Sequence, residues 1–411
     1  MFIRRFTIRN FKIHRDTSLE LFPITVFVGP NSGGKSAIFD ALINFSMVCR
    51  GNLSEAFNQY PFSFDALRHH GASAAARIRY EAELALTSGS NESLHYLIEF
   101  SQDPGSQDQP TYAIHNEELR VGSRLVFSRS EDICQLTGLG GLQFDGRSIF
   151  AAVRRAEWSS DFANREPLVA HCARQVSRIG RYRLDPSLLA RPGRVFDIEP
   201  GGGVLGEPEL QVQAPRLAYR GGDLASVLYF LSETENPILS KIVERVAEAI
   251  NGFEGFDFNR VGSDSVGFSG RFTDRRGAVV APNLSDGCLS MIGLVALAFT
   301  AGRPGVLCIE EPENGLTPKA TRVFYRTIRE LATTEEAERS QVLLSSHSPF
   351  VIVDAWNGNE RNFIYQCHPS EGMAKLAKFS EVVQDAGTLR SDGTLGLALA
   401  EQIMDGFRYQ P

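Results

Sequence analysis

Eight residues constrain this chain more than any others: Gly29-Pro30-Asn31-Ser32-Gly33-Gly34-Lys35-Ser36. They fit the pattern G-x-x-x-x-G-K-S/T. A β-branched run, Ile24 to Val28, precedes them, and Ala37 to Ile43 follows with apolar residues recurring every three and four positions. Strand, glycine loop and helix in that order curl backbone N–H groups around a phosphate. They also bring a lysine to its outer oxygens and set a serine hydroxyl where Mg²⁺ is held. The candidate phosphate-binding residues are Asn31, Ser32, Gly33, Gly34, Lys35, Ser36 and Ala37.

Three further segments carry chemistry. Val306 to Glu313 is an apolar strand that delivers adjacent carboxylates, Glu310 and Glu311, to its end. One can orient Mg²⁺ while the next activates water. Leu284-Ser285-Asp286-Gly287 leads into an apolar helix from Met291 to Phe299. A capping serine followed by a glycine makes a second anion site at a helix N-terminus. Val342 to Pro349 is an apolar strand that ends in His347, placed to donate a hydrogen bond to a phosphate or to attacking water. Each of these is weak alone, because acidic loops, capped core helices and structural histidines are all common. Their conjunction with the glycine loop gives them weight.

At 411 residues the chain exceeds a single domain of about 150, so two or three packing units are expected. A composition of 43% hydrophobic and 22% charged residues excludes wholesale disorder, collagen-like repetition and a disulfide scaffold. The six cysteines lie far apart without a CxxC pair, which reads as reduced thiols in the cytoplasm. No signal pattern opens the chain. The longest apolar stretch, Met291 to Ala301, is too short for the roughly 20 residues of a membrane span, so no membrane association is expected. The opening residues read as strands, 51–215 as an inserted globular α+β arm or cap, and 216–411 as a second core unit reached through the joint Gly201-Gly202-Gly203. Net charge is −7, yet Arg154 to Arg194 holds nine arginines against four acids, a local +5. Arg154, Arg155, Arg174, Arg178, Arg181 and Arg183 are therefore candidate contacts to DNA phosphates.

Taken in order, the four segments resemble the nucleotide-binding head of an ABC-type ATPase: Walker A at 29–36, the LSxG signature at 284–287, Walker B at 306–311, a D-loop at Asn314-Gly315-Leu316 and the switch histidine His347. The likeness is closest to the RecF/SMC/OLD-like branch, through Ile8-Arg9-Asn10-Phe11-Lys12 and the run Ile309 to Pro318. The resemblance implies an α/β fold. A P-loop head with an antiparallel β subdomain would be formed by 1–50 together with 216–411, carrying the arm and a signature-helix lobe. It also implies ATP and Mg²⁺ as cofactors and a homodimer or higher oligomer. In that arrangement Leu284, Ser285, Asp286 and Gly287 would meet the partner subunit's γ-phosphate. Lys35 and Ser36 would contact phosphate and Mg²⁺, Glu310 would stand on the Mg²⁺ side, Glu311 would be the general base, and Asn314 with Gly315 would form the D-loop. Two features depart from the pattern. Thr317 stands where histidine is frequent, and no glutamine is assignable to a Q-loop, with Gln135 and Gln143 as weak candidates. The 64 residues after His347 are too few for the TOPRIM nuclease that OLD proteins carry there, so no nuclease is expected in this chain.

The leading functional expectation is an ATPase that assembles on ATP, hydrolyses it slowly and controls a separate effector, a nuclease or toxin, as relatives in bacterial anti-phage defence do. The alternative is a DNA-binding ATPase clamp of the RecF/SMC type acting in DNA repair. A transporter motor fits the N-terminal strands and the wide spacing between Lys35 and Leu284 poorly. A scaffold that only binds ATP would keep every one of the same residues.

Overall fold

Two sheets sandwich the helix that follows the glycine loop. The outer sheet has seven antiparallel strands: β1 (Phe2–Phe11), β2 (His14–Glu20), β4 (Ile78–Ala85), β5 (Ser93–Asp103), β6 (Thr111–Val121), β7 (Arg124–Ser130) and β8 (Ile133–Leu136), in the order β2-β1-β4-β5-β6-β7-β8. The central sheet has six: β3 (Ile24–Val28), β9 (Ile179–Tyr182), β14 (Val306–Glu310), β15 (Gln341–Ser346), β16 (Ile364–Ser370) and β17 (Met373–Lys378). Their order is β17-β16-β3-β15-β14-β9, parallel except for the β16–β17 pair. The computed structural model describes residues 2–51, 53–57, 63–73, 76–86, 92–103, 111–130, 133–136, 147–154, 164–195, 217–300, 305–333, 340–358, 363–370, 372–386, 389–390 and 393–406.

Strands β3, β14 and β15 are buried along their whole length, as a parallel sheet covered on both faces requires. Alternate residues feed opposite cores. Ile24, Val26, Val28, Leu307, Ile309, Val342 and Leu344 join one core, while Phe27, Val306, Cys308 and Leu343 join the other. The second core packs the P-loop helix (Lys35–Arg50) under the outer sheet through Phe6, Phe45, Tyr80 and Tyr96. Each such ring contributes about 1.5–3 kcal/mol by leaving water, and Tyr80 Oη donates to Asn44 Oδ1 at 2.8 Å, so that its own hydroxyl is not buried unpaired.

The first core holds the signature helix (Asp286–Thr300), which is apolar on nearly all sides and correspondingly enclosed. Around it lie helices Leu224–Glu233 and Pro237–Ala249 and a small sheet of β10 (Gly193–Arg194), β11 (Phe253–Arg260), β12 (Ser265–Phe272) and β13 (Val279–Val280). The short helix Pro186–Leu189 presses on it at Gly293, where an added Cβ would lie 2.7 Å from Leu189 Cδ2 and the leucine would have to shift.

The stretch 51–215, expected as a separate insertion, is woven into both sheets. Its strand β4 pairs with β1, and its strand β9 pairs with β14 at the edge of the central sheet. The head is thus completed by residues from inside the expected arm. The joint at 201–203 lies outside the described residues.

Candidate nucleotide site

The glycine loop leaves the buried end of β3 and turns sharply, with Gly29 at φ 141°, Ser32 at 71° and Gly34 at 94°. It lies flat on β16. A Cβ on Gly29 or Gly33 would fall 2.0 or 2.6 Å from the Cys367 carbonyl oxygen, so backbone fills the space that any side chain would need. Gly34 then caps the helix. The first internal bond is from Ile38 N to Gly34 O, which leaves the amides of Lys35, Ser36 and Ala37 directed out of the helix end, where an anion is favoured. Lys35 is buried and its Nζ donates to the carbonyls of Gly29 at 2.7 Å and Pro30 at 2.8 Å. Burial lowers its pKa, opposed by the Cys367 thiol and by the carboxylates of Glu311, Glu313 and Glu310. Asn31, Ser32 and Ser36 are exposed.

Strand β14 brings the two carboxylates. Glu310 is buried, and its Oε2 accepts from Ser36 Oγ at 3.1 Å. A hydroxyl and a carboxylate meeting at a helix N-terminus are the hard oxygen donors that Mg²⁺ takes alongside phosphate oxygens, so the residues fit that ion. Held there, Mg²⁺ would neutralise charge on the outer phosphates. Glu311 stands past the strand at φ 44°, a left-handed conformation that is costly for a non-glycine residue and found where structure around it enforces it. Its amide donates to Ser345 O at 2.9 Å, and its Oε2 accepts from Asn314 Nδ2 at 3.0 Å. His347 is part-exposed, with Nδ1 3.9 Å from Glu311 Oε1 and 3.5 Å from Glu313 Oε1. Glu313 Oε1 also accepts from Ser346 Oγ at 2.8 Å and from the His347 amide at 2.9 Å. The candidate base and the candidate γ-phosphate contact are therefore held side by side, just past the ends of the paired strands β14 and β15.

In the signature segment Leu284 is a core residue, whereas Ser285 and Asp286 are exposed. Ser285 Oγ accepts from Cys288 N at 3.3 Å, the expected cap. Gly287 abuts Gly315 of the D-loop in the same chain. A cavity of about 230 Å³ runs between this helix and the end of β14, lined by Arg183, Asp286, Ser290, Glu310, Glu311 and Asn314 among others.

Arg181, expected on a DNA-binding face, is instead drawn into this site. Its Nε donates to Glu310 Oε1 and its Nη1 to Asp40 Oδ1, while Asp40 Oδ2 is held by Lys12. Burial alone would lower the pKa of the guanidinium, but the hydrogen bond to Glu310 and the charge of Asp40 outweigh it and raise it. The reason is topological: β9 lies beside β14, so a cation on β9 meets the carboxylates at the strand ends. Arg183 is 3.6 Å from Glu311. Arg174 and Arg178 lie elsewhere, at the end of helix Pro167–Val176, and Arg154 ends helix Ile149–Val153. Arg155 lies outside the described residues. Of the weak Q-loop candidates, Gln135 is on β8 at the edge of the outer sheet farthest from β2, and Gln143 lies outside the described residues.

Sequence reasoning gave no role to Asp40, Glu313 or His14. His14 is buried, with Nε2 3.2 Å from the Gly34 carbonyl and Nδ1 3.0 Å from Thr17 Oγ1. A carbonyl only accepts, so Nε2 carries the proton and Nδ1 accepts from the threonine. Burial drives the His14 pKa down to about 4, with the Gly34 hydrogen bond opposing.

Residues 24–354 match the family model "AAA domain, putative AbiEii toxin, Type IV TA system". The chain belongs to this family. A relative, an "OLD nuclease" from Thermus scotoductus, is 24% identical over 372 residues, which cover 84% of this chain and 59% of that protein. The family member described here thus aligns with somewhat more than half of that relative's length. Two solved structures share the fold. An Smc head bound to the C-winged helix domain of ScpA superposes with a TM-score of 0.55 at 12% identity, covering 92% of this chain and 98% of that one. An Smc head with an extended coiled coil, bound to the C-terminal domain of ScpA derived from Pyrococcus furiosus, gives 0.51 at 12% identity, covering 99% of each. The family, this relative and the shared fold make the chain an ABC-type ATPase head of the OLD/SMC-like kind, with the mixed α/β architecture expected of one. Among the described residues no helix is long and apolar enough to cross a membrane.

Proposed function

We propose that this chain binds ATP with Mg²⁺ and assembles as a homodimer or larger oligomer around the nucleotide. On this reading it hydrolyses ATP slowly to control a separate effector, a nuclease or toxin, in anti-phage defence. The observation that carries the reading is the approach of Ser36 to Glu310, 3.1 Å apart across 274 positions of sequence, with Glu311 and His347 on the adjoining turns. Lys35, withdrawn from the loop carbonyls, would reach the outer phosphates. Glu311 would take a proton from the attacking water, with Asn314 fixing its carboxylate. The exposed Ser285 and Asp286 suit a contact made by a second subunit.

The test is mass and ATP turnover of the purified protein, wild type against Glu311→Gln. Loss of the base lowers turnover by about 10²–10⁴-fold and leaves nucleotide trapped in the larger assembly. Equal turnover in the variant removes Glu311 from the role of base. An assembly indifferent to ATP makes the protein a scaffold. The DNA-clamp alternative draws on the Smc-head fold but loses Arg181, which is already committed to carboxylates; turnover stimulated by duplex DNA would restore it.

A further inference from the structure

Four charged side chains form an alternating row beneath the glycine loop: Lys12, Asp40, Arg181 and Glu310, the last of which also receives the Ser36 hydroxyl. Two cations face two anions, so the row is neutral as it stands. Both carboxylates are almost fully buried, and the Arg181 side chain keeps only 17% of its exposure. In such surroundings a full charge is felt strongly by its neighbours. The guanidinium sits on Glu310 Oε1 while Ser36 takes Oε2, so neither oxygen of the Mg²⁺-side carboxylate is without a partner.

We propose that Arg181 is a resident counter-ion of Glu310, one that Mg²⁺ must displace, and that it sets the magnesium requirement of nucleotide binding. The inference rests on the ATP reading above. A divalent cation entering beside Glu310 meets a neutral row with a cation already in contact, and binding is weakened accordingly. The displaced guanidinium has somewhere to stay: Asp40 holds its other edge, and the half-exposed ring of Tyr219 lies 5.6 Å from its central carbon. Arg181 thus acts through Glu310, as a positioning residue.

The strand that carries Arg181 gives this exchange an outlet. Past the end of β9 the chain passes through Arg183, which faces Glu311, into helix Pro186–Leu189, whose Leu189 is packed against Gly293 of the signature helix. A guanidinium that leaves Glu310 therefore pulls on a segment wedged against the helix that bears Ser285.

The experiment titrates magnesium chloride against the full chain with a ribose-labelled fluorescent ATP analogue and reads bound nucleotide. Arg181→Gln leaves the row one negative charge in excess and lowers the half-saturating magnesium concentration by roughly ten-fold. Arg181→Lys keeps the charge and stays near wild type. Asp40→Asn confines Arg181 to Glu310 and raises the requirement. It also serves as the independent variant should Arg181→Gln fail to fold. Opposite shifts in the two neutralising variants support the inference, because damage to the site would raise the requirement in both. An unchanged or raised half-saturation in Arg181→Gln, or a lowered one in Asp40→Asn, overturns it while leaving the ATP reading intact. Wild-type protein that binds no nucleotide at any magnesium concentration overturns both.

Discussion

Gly287 and Gly315 touch through their backbones: a Cβ added to Gly287 would stand 2.4 Å from the Gly315 carbonyl oxygen. Residues 284–287 and the turn at 314–316 are thereby in backbone contact within one chain. Gly287→Ala forces them apart, and since the opposing atom is backbone it cannot swing away. The expected cost is about 1–3 kcal/mol of stability, read as a lowered thermal midpoint together with weaker ATP-driven assembly. A variant as stable as wild type would show that the two segments are free to separate.

Gly33→Ala meets the same kind of obstacle. Its Cβ would be 2.6 Å from the Cys367 carbonyl and 3.1 Å from the Pro30 carbonyl, so the loop must lift off β16. Nucleotide affinity should fall by about ten-fold or more for a lost 1.4 kcal/mol or greater, measured by equilibrium binding, with the secondary-structure content unchanged.

His14 predicts a pH dependence with a definite sign. Its native pKa of about 4 lies below the ordinary value of 6.5, so between those limits the unfolded chain binds the extra proton. Stability from this group is complete above pH 6.5 and is lost as pH falls toward 4, amounting to about 2 kcal/mol by pH 5. Urea midpoints at pH 7.5 and 5 should therefore differ more for wild type than for His14→Gln. Equal differences would mean that the imidazole is protonated in the folded protein.

Glu313 separates positioning from chemistry. Glu313→Ala leaves the Ser346 hydroxyl and the His347 amide without their acceptor, at a cost of about 1–3 kcal/mol. Turnover should fall while affinity for ATP is kept. Glu313→Gln retains an acceptor oxygen and should stay close to wild type. If the alanine variant turns over normally, His347 does not depend on this hold.

The parts of the site that could be read in the sequence are those that are contiguous. A strand, a glycine loop and a helix made of neighbours announce themselves, as do the apolar runs that end in Glu310 and His347. The row through Lys12, Asp40 and Arg181 was hidden because its members come from three distant segments that only the sheet order brings together. Arg181 shows why a count of charges misleads: in the sequence it is one more cation in an arginine-rich run, yet pairing of β9 with β14 sets it against Glu310, 129 positions away. Likewise the strand-like runs after residue 76 were visible, but nothing local says that they extend the sheet begun by β1. His14 escaped because the burial of a lone histidine is a property of its neighbours.

The pairing of β3 with β15 sets a timetable. Ile24 takes its parallel partner from Val342, 318 residues later, and its other neighbour, β16, is later still. At about 5–20 residues per second a ribosome needs on the order of 15–65 s to supply that partner. Throughout that interval the strand leading into the glycine loop is apolar and lacks both of its edges. The candidate site is thus completed only after β15 and β16 have been made, and a translation product stopped short of them would carry the loop without the means to use it.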